Sequence, residues 1–153
     1  MQFPTVQGAN LLRQSITLPD DFAGELNIVL IPFQQWQQTV VDGWIPTAQQ
    51  LETDFPGVFY YELPTIQRMN FLSRTFINEG MRAGIPNNKT RQRTITLYLD
   101  KQKFRQALDL PDESTIYLLL VDRQGQVLWR AEGGYDPQKA AALREAIAAH
   151  FNA

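Results

Sequence analysis

Residues Asn27 to Phe33 read Asn-Ile-Val-Leu-Ile-Pro-Phe, a continuous apolar run of the kind that forms a strand buried on both faces. A sheet built around such a strand needs covering layers above and below. The next apolar residues supply one: Trp36, Val40, Trp44, Ala48, Leu51 and Phe55 recur at steps of three and four, which places them on one side of a helix interrupted at Pro46. Pro56-Gly57 stops that helix, and Val58 to Leu63, rich in β-branched and aromatic residues, reads as a second strand paired in parallel with the first.

The same reading carries to the end of the chain. A short irregular lead-in and a Leu18-Pro19-Asp20-Asp21 turn precede the first strand. Met69, Leu72, Phe76 and Gly80 predict a helix over Ile66 to Met81, and Gly84 to Arg91 a polar surface loop. Thr94 to Leu99 alternates as a strand does, and Asp100 caps a short helix carrying Phe104 and Leu108. Pro111 to Ser114 breaks that helix. Thr115 to Val121 and Gln126 to Ala131, with the Asp122 to Gly125 turn between them, predict a hairpin. Asp136-Pro137 opens a last helix with Ala140, Leu143, Ile147 and Phe151 on its buried stripe. This order of elements implies an α/β fold: a mixed central sheet with helices on both faces. With no repeat or linker, the 153 residues are expected to form a single domain, 1–153, with one core.

Composition narrows function mainly by exclusion. The chain has no cysteine, so thiolate nucleophiles, disulfides and sulfur-ligated metals are absent. A net charge of -2 provides no concentrated positive field for nucleic acid or an anionic bilayer. The longest apolar runs fall far short of the ~20 residues that span a bilayer, so no membrane insertion is expected. Met1-Gln2-Phe3-Pro4 opens neither a signal nor a transit peptide, which makes a cytoplasmic location the expectation. There is no Walker loop, dinucleotide fingerprint or nucleophile elbow. His150, the one histidine, lies in the last turn of the final helix, where a role against the helix dipole is natural. No metal or cofactor is expected. Asp20-Asp21 and Asp112-Glu113 sit in turns, where carboxylates satisfy backbone donors. Asn88-Lys89-Thr90 matches a glycosylation acceptor by chance. Arg82, Lys89, Arg91, Arg93, Lys101, Lys103 and Arg105, with Tyr98 and Phe104 among them, form a basic stretch that either converges on one face to meet an acidic partner or lipid headgroups or is simply solvated.

Four stretches in this order carry a family resemblance: Ile28 to Phe33 with its helix, Leu97-Tyr-Leu-Asp100, Leu118 to Val127, and Gly133-Gly134 before the last helix. Together they resemble the thioredoxin-like fold in its peroxiredoxin-like branch. Tyr117-Leu-Leu-Leu-Val-Asp122 and Val127-Leu-Trp129-Arg130-Ala-Glu-Gly133 are also similar to the mitochondrial ATP synthase assembly factor family, whose members act as chaperones for a membrane subunit rather than as peroxidases. The resemblance places the usual cysteine pair near Gln37 or Gln38 and Val40 or Val41, where no nucleophile stands. It places the usual cis proline at Ser114-Thr115, where a trans bond is expected. Both departures argue against oxidoreductase and peroxidase activity.

These expectations leave no catalytic residue to name and point to a protein-binding module, an assembly factor or chaperone, with another protein as partner, including a subunit of a membrane complex. The candidate partner surface is Gln34, Gln35, Trp36, Gln37, Gln38, Trp44, Ser114 and Thr115. Two readings of Gln34 to Gln38 stand side by side: a converted recognition surface of four amides around an aromatic anchor, or a Trp36 packed into the core with its amides in water. The alternative to a binding module is an enzyme with non-thiol chemistry that uses Arg68, Arg74, Asp42 or Glu62.

Overall fold

The computed structural model describes residues 1–68 and 92–152. These form eight strands: β1 (Val6–Asn10), β2 (Ser15–Leu18), β3 (Leu26–Ile31), β4 (Val58–Glu62), β5 (Thr65–Gln67), β6 (Ile95–Leu99), β7 (Tyr117–Asp122) and β8 (Val127–Glu132). Three helices accompany them among the described residues: α1 (Gln38–Asp54), α2 (Lys101–Ala107) and α3 (Pro137–Phe151), with a 3-10 turn at Gln35–Gln37 leading into α1.

The apolar run becomes the inner strand β3, buried at every position. It pairs in parallel with β4 (Leu26 opposite Val58) and antiparallel with β7 (Leu26 opposite Asp122), and β7 turns back on β8 as a hairpin. This sheet has the order β4-β3-β7-β8; a second has the order β2-β1-β6-β5, and an isolated parallel bridge between Glu62 and Thr94 links them. Strand alternation sends Ile28, Leu30, Leu118 and Leu120 to one face, where α1 and α3 cover them with Val41, Trp44, Ala48, Leu51, Leu143 and Ile147. Val29, Ile31, Leu119 and Val121 point to the other face, which holds Phe3, Leu97 and the α2 residue Phe104. Among the described residues the interior is thus two hydrophobic layers on either side of one sheet.

The helix starts follow local chemistry. Asp136 accepts from Gln138 and Lys139 backbone N–H at 2.7 and 3.2 Å, with Pro137 in the first turn. Asp100 accepts from Lys103 N–H at 3.2 Å. Helix α1 runs unbroken through Pro46, which corrects the interruption expected there.

Two further expectations need correction. The lead-in is not irregular: β1 and β2 form an antiparallel ladder, and Asn10 clasps their turn by accepting from Leu12 and Gln14 N–H. The polar residues that alternate with apolar ones in Ser15-Ile16-Thr17-Leu18 carry that signal. The helix expected to start at Ile66 does not, because Thr65–Gln67 is strand, with Ile66 opposite Tyr98. The rest of that predicted helix and the Gly84 to Arg91 loop lie outside the described residues. So do Arg74, Arg82, Lys89 and Arg91.

Asn27 shows how β3 tolerates one polar side chain in its apolar run. Fully buried, it accepts from Gly24 N–H at 2.9 Å and donates to the Gly24 and Val121 carbonyls at 3.1 and 3.3 Å. Asn27→Ala is expected to destabilise the fold by about 2 kcal/mol, since it strands buried backbone groups. Urea unfolding checks this, and an unchanged midpoint would refute it.

Candidate functional site

Ligands of open α/β sheets collect at the carboxyl ends of parallel strands, and here β3 and β4 both end beside the start of α1. The connection from β3 enters the 3-10 turn at Gln35–Gln37. Its conformation is fixed by Gln37, whose side chain is fully buried. The Gln37 amide oxygen accepts from Phe33 N–H at 2.7 Å and Gln34 N–H at 3.1 Å, and its nitrogen donates to the Glu113 carbonyl at 2.8 Å. A polar side chain at the helix start therefore closes the turn and ties it to the loop before β7.

That loop is fastened a second time. The Glu113 carboxylate meets Lys101 Nζ at 2.9 Å and Arg105 Nε at 3.3 Å, and Lys101 Nζ also donates to the Phe33 carbonyl at 3.2 Å. Lys101 and Arg105 of the basic stretch are thus engaged from α2, while Arg93 turns inward to Glu52. The described part of that stretch does not converge on one open basic face. Ser114 is exposed and donates its hydroxyl to Asp112 at 2.8 Å, and Thr115 is half-buried. Hydrogen bonds from Ser114, with a further one from Tyr117, hold the Asp112 carboxyl below its usual range. The cis peptide bond among the described residues is Leu18–Pro19, so Ser114–Thr115 is trans.

One residue on, Gln38 is exposed and its amide nitrogen spans two carboxylates, Asp42 Oδ1 at 2.9 Å and Glu62 Oε1 at 3.0 Å. Glu62 ends β4 and is 6% exposed. Burial pushes its carboxyl up; the bond from Gln38 opposes this, the Asp42 charge reinforces it, and the Thr94 hydroxyl opposes it again. Asp42 and Glu62 are therefore brought together, as a non-thiol site would require, but Arg68 is an exposed residue just past β5. An open depression lined by Glu52, Gly57, Val58, Phe59 and Arg93 lies at the opposite end of β4.

The candidate surface separates into two groups. Trp36 is 61% exposed, with Gln34, Gln35 and Gln38 exposed around it. Trp44 is 1% exposed, donates its indole N–H to the Gly133 carbonyl at 3.1 Å, and meets Tyr135 edge-on at 5.4 Å, so it belongs to the interior. Gln37 is likewise interior. Neither reading of Gln34 to Gln38 holds throughout: Trp36 is outside the core, and one of the four amides is inside it. What sequence reasoning missed was the role of Gln37. The buried residues of α1 are Val41, Trp44, Ala48 and Leu51, and that stripe runs back to position 37, not 36.

His150 lies in the last turn of α3, with Nε2 3.7 Å from Glu25 Oε1, beyond the far end of α1. Among the described residues no group of three metal-ligating side chains gathers, and no helix is long and apolar enough to cross a membrane.

A thiol:disulfide interchange protein from Bacteroides sp. is similar in structure at a TM-score of 0.62 and 15% identity, covering 94% of this chain and 86% of that one. The copper-bound ScoI of Arabidopsis thaliana is similar at a TM-score of 0.62 and 9% identity, covering 96% and 98%. The exposed lipoprotein thioredoxin Etrx1 of Streptococcus pneumoniae strain TIGR4 is similar at a TM-score of 0.58 and 10% identity, covering 93% and 98%. At these identities the likeness shows the fold alone, which is thioredoxin-like. No curated protein matches the sequence. The ATP10 protein family does match, over residues 1–149. This chain is a cysteine-free, thioredoxin-like member of the ATP10 family of ATP synthase assembly factors.

Proposed function

We propose that this chain works by binding another protein, as an assembly factor or chaperone, through the turn that begins α1. The observation that carries this reading is Trp36: a large aromatic side chain left 61% exposed on a turn whose backbone is held by the buried Gln37. A rigid, exposed aromatic residue gives a partner much contact area at little ordering cost, and such residues dominate binding energy at protein interfaces. Gln34, Gln35 and Gln38 around it offer donors and acceptors that suit a polar rim. The family supports a protein partner of the kind found in a multi-subunit complex, including a membrane complex.

Trp36→Ala tests the reading. Because the side chain is exposed, stability should change by no more than about 0.5 kcal/mol. Affinity capture of the tagged protein from its native host, with soluble and detergent-solubilised membrane fractions analysed separately, should lose its defined partner in the variant. Equal capture by wild type and variant, with folding intact, would overturn the role of this turn.

A further inference from the structure

Strand β8 is one edge of the main sheet, and its bonding to β7 fixes which of its backbone groups face outward. Gly133 N–H donates to the Ile116 carbonyl at 3.0 Å, and along the same ladder Leu118 stands opposite Ala131 and Leu120 opposite Trp129. Antiparallel strands exchange bonds at alternate pairs, so Trp129, Ala131 and Gly133 turn their N–H and C=O toward β7, and Leu128, Arg130 and Glu132 turn theirs away. The edge just before these residues is taken: the Met1 carbonyl accepts from Val127 N–H at 2.8 Å, and Gln2 bridges Gln126. Lys139 Nζ donates to the Glu132 carbonyl at 2.6 Å. The other outward backbone groups of Leu128, Arg130 and Glu132 have no partner among the described residues. The side chains alternate in step, with Leu128, Arg130 and Glu132 exposed on one face and Val127, Trp129 and Ala131 half-buried on the other. Arg130 donates to the Leu108 and Asp109 carbonyls at 2.8 Å each, which holds its guanidinium beside the strand. The Glu132 carboxylate has no hydrogen-bond or ion-pair partner among the described residues.

We propose that β8 pairs antiparallel with β8 of a second copy of this chain about a two-fold axis at Ala131, joining two four-stranded sheets edge to edge. Charge and size select that register. Outward groups must meet outward groups, which leaves few places for the axis. Centred on Arg130, the pairing sets two guanidinium groups against each other, and centred on Trp129 it sets two indoles together. Centred on Ala131, it puts Arg130 of each copy opposite Glu132 of the other, so two opposite-charge pairs form across the strands. The smallest side chain of the strand then lies on the axis, and Trp129 comes opposite Gly133 of the second copy, which has no side chain in the way. Arg130 N–H takes the Glu132 carbonyl of the second copy in place of Lys139, and Glu132 N–H takes the Arg130 carbonyl. The paired residues lie beyond Val127, so the Met1 to Phe3 strap stays where it is. An edge contact of this kind is small, so the dimer is weak and reversible. It shares no residue with the turn that begins α1 and stands apart from the role given to Trp36.

The chain has no cysteine, so a single introduced thiol reports its own surroundings. Under mild oxidation Ala131→Cys should crosslink two whole chains, because residues facing each other at such a position lie ~4.5 Å apart between Cα atoms, within the ~4.4–6.8 Å that a disulfide spans. Gln124→Cys, in the exposed turn before β8, should stay single over the same time and at the same concentration. Adding Glu132→Lys to Ala131→Cys should slow crosslinking about tenfold, since both cross-strand pairs become repulsive. Adding Arg130→Glu as well should restore it by returning opposite charges to each pair. Sedimentation equilibrium of the unaltered chain should show the average mass climbing above that of one chain as concentration approaches about 1 mM, and Glu132→Lys should remove the climb. If the variant with both charges exchanged does not fold, Ala131→Cys with and without Glu132→Lys decides, because the Glu132 carboxylate holds nothing in the single chain. Crosslinking at position 124 as fast as at 131, a constant one-chain mass, or indifference to Glu132→Lys would overturn the pairing.

Discussion

Trp44→Ala is expected to destabilise this protein by about 3–5 kcal/mol, the range for truncating a large buried aromatic side chain. The reason lies in where the ring sits. Trp44 is the largest of the fully buried side chains, enclosed between α1 and the sheet with Leu26, Ile28, Leu118 and Leu143 in the same cluster. Its N–H satisfies the Gly133 carbonyl, so it also fastens the loop that follows β8. Removing the ring leaves a cavity, frees that carbonyl, and takes the edge-on contact from Tyr135, which is already 50% exposed. Trp44→Phe separates these effects. It keeps most of the apolar area and loses the hydrogen bond, at an expected cost of about 1–2 kcal/mol. Urea unfolding measures both, and a loss below about 1 kcal/mol for Trp44→Ala would show that the interior collapses around the missing ring. The contrast with Trp36 is the functional point. Two tryptophans eight residues apart play opposite parts, one inside the helix–sheet layer and one outside it, so partner loss on Trp44 replacement would report unfolding rather than lost contact.

The central layers are legible in the sequence because their signals are local and strong. An unbroken apolar run marks β3, and the Asp136-Pro137 start marks α3. The β1–β2 hairpin was harder, because its strands are short and half-exposed and its turn depends on Asn10 rather than on a two-residue glycine turn. Thr65–Gln67 was lost for a different reason. Three residues are too few to show a period, and their strand state is set by pairing with β6, some thirty residues away. At the site, the sequence singles out Trp36 as a residue, but its location turns on a single position of helical phase. Counting from Val41, Trp44, Ala48 and Leu51 places Gln37 inward; counting from Trp36 places Trp36 inward. Hydrophobicity favours the second phase and hydrogen bonding decides for the first, since Gln37 fills its buried position with the Phe33, Gln34 and Glu113 backbone as partners. The pairing of Asp42 and Glu62 through Gln38 crosses from α1 to β4, and no spacing within either element encodes it.

Glu52→Ala should be as damaging as Trp44→Ala, again by about 3–5 kcal/mol, because it leaves a buried charge without its counter-ion. Arg93 is 8% exposed; both of its terminal nitrogens bond the two Glu52 oxygens, and its guanidinium lies 4.1 Å from the centre of the Tyr60 ring. Glu52 accepts in addition from Tyr60 N–H at 2.9 Å, and Arg93 donates to the Tyr60 carbonyl at 3.1 Å. The pair therefore occupies both backbone groups that β4 would offer at Tyr60 on its outer edge, a protection of the kind edge strands need against pairing with other chains. Without Glu52, the guanidinium keeps one carbonyl and the ring, and Tyr60 N–H loses its acceptor. Replacing both partners, as in Glu52→Leu with Arg93→Met, should recover most of the loss, since a buried pair exchanged for packed apolar groups is often close to neutral. A double-mutant cycle by urea unfolding measures the coupling, and strictly additive single and double variants would show that the two side chains act separately. The consequence reaches Glu62. Arg93 immediately precedes Thr94, whose bridge to Glu62 joins the two sheets. Glu52→Ala should therefore also shift the Glu62 titration midpoint, whereas the double replacement, with β6 again held in place, should return it toward the wild-type value.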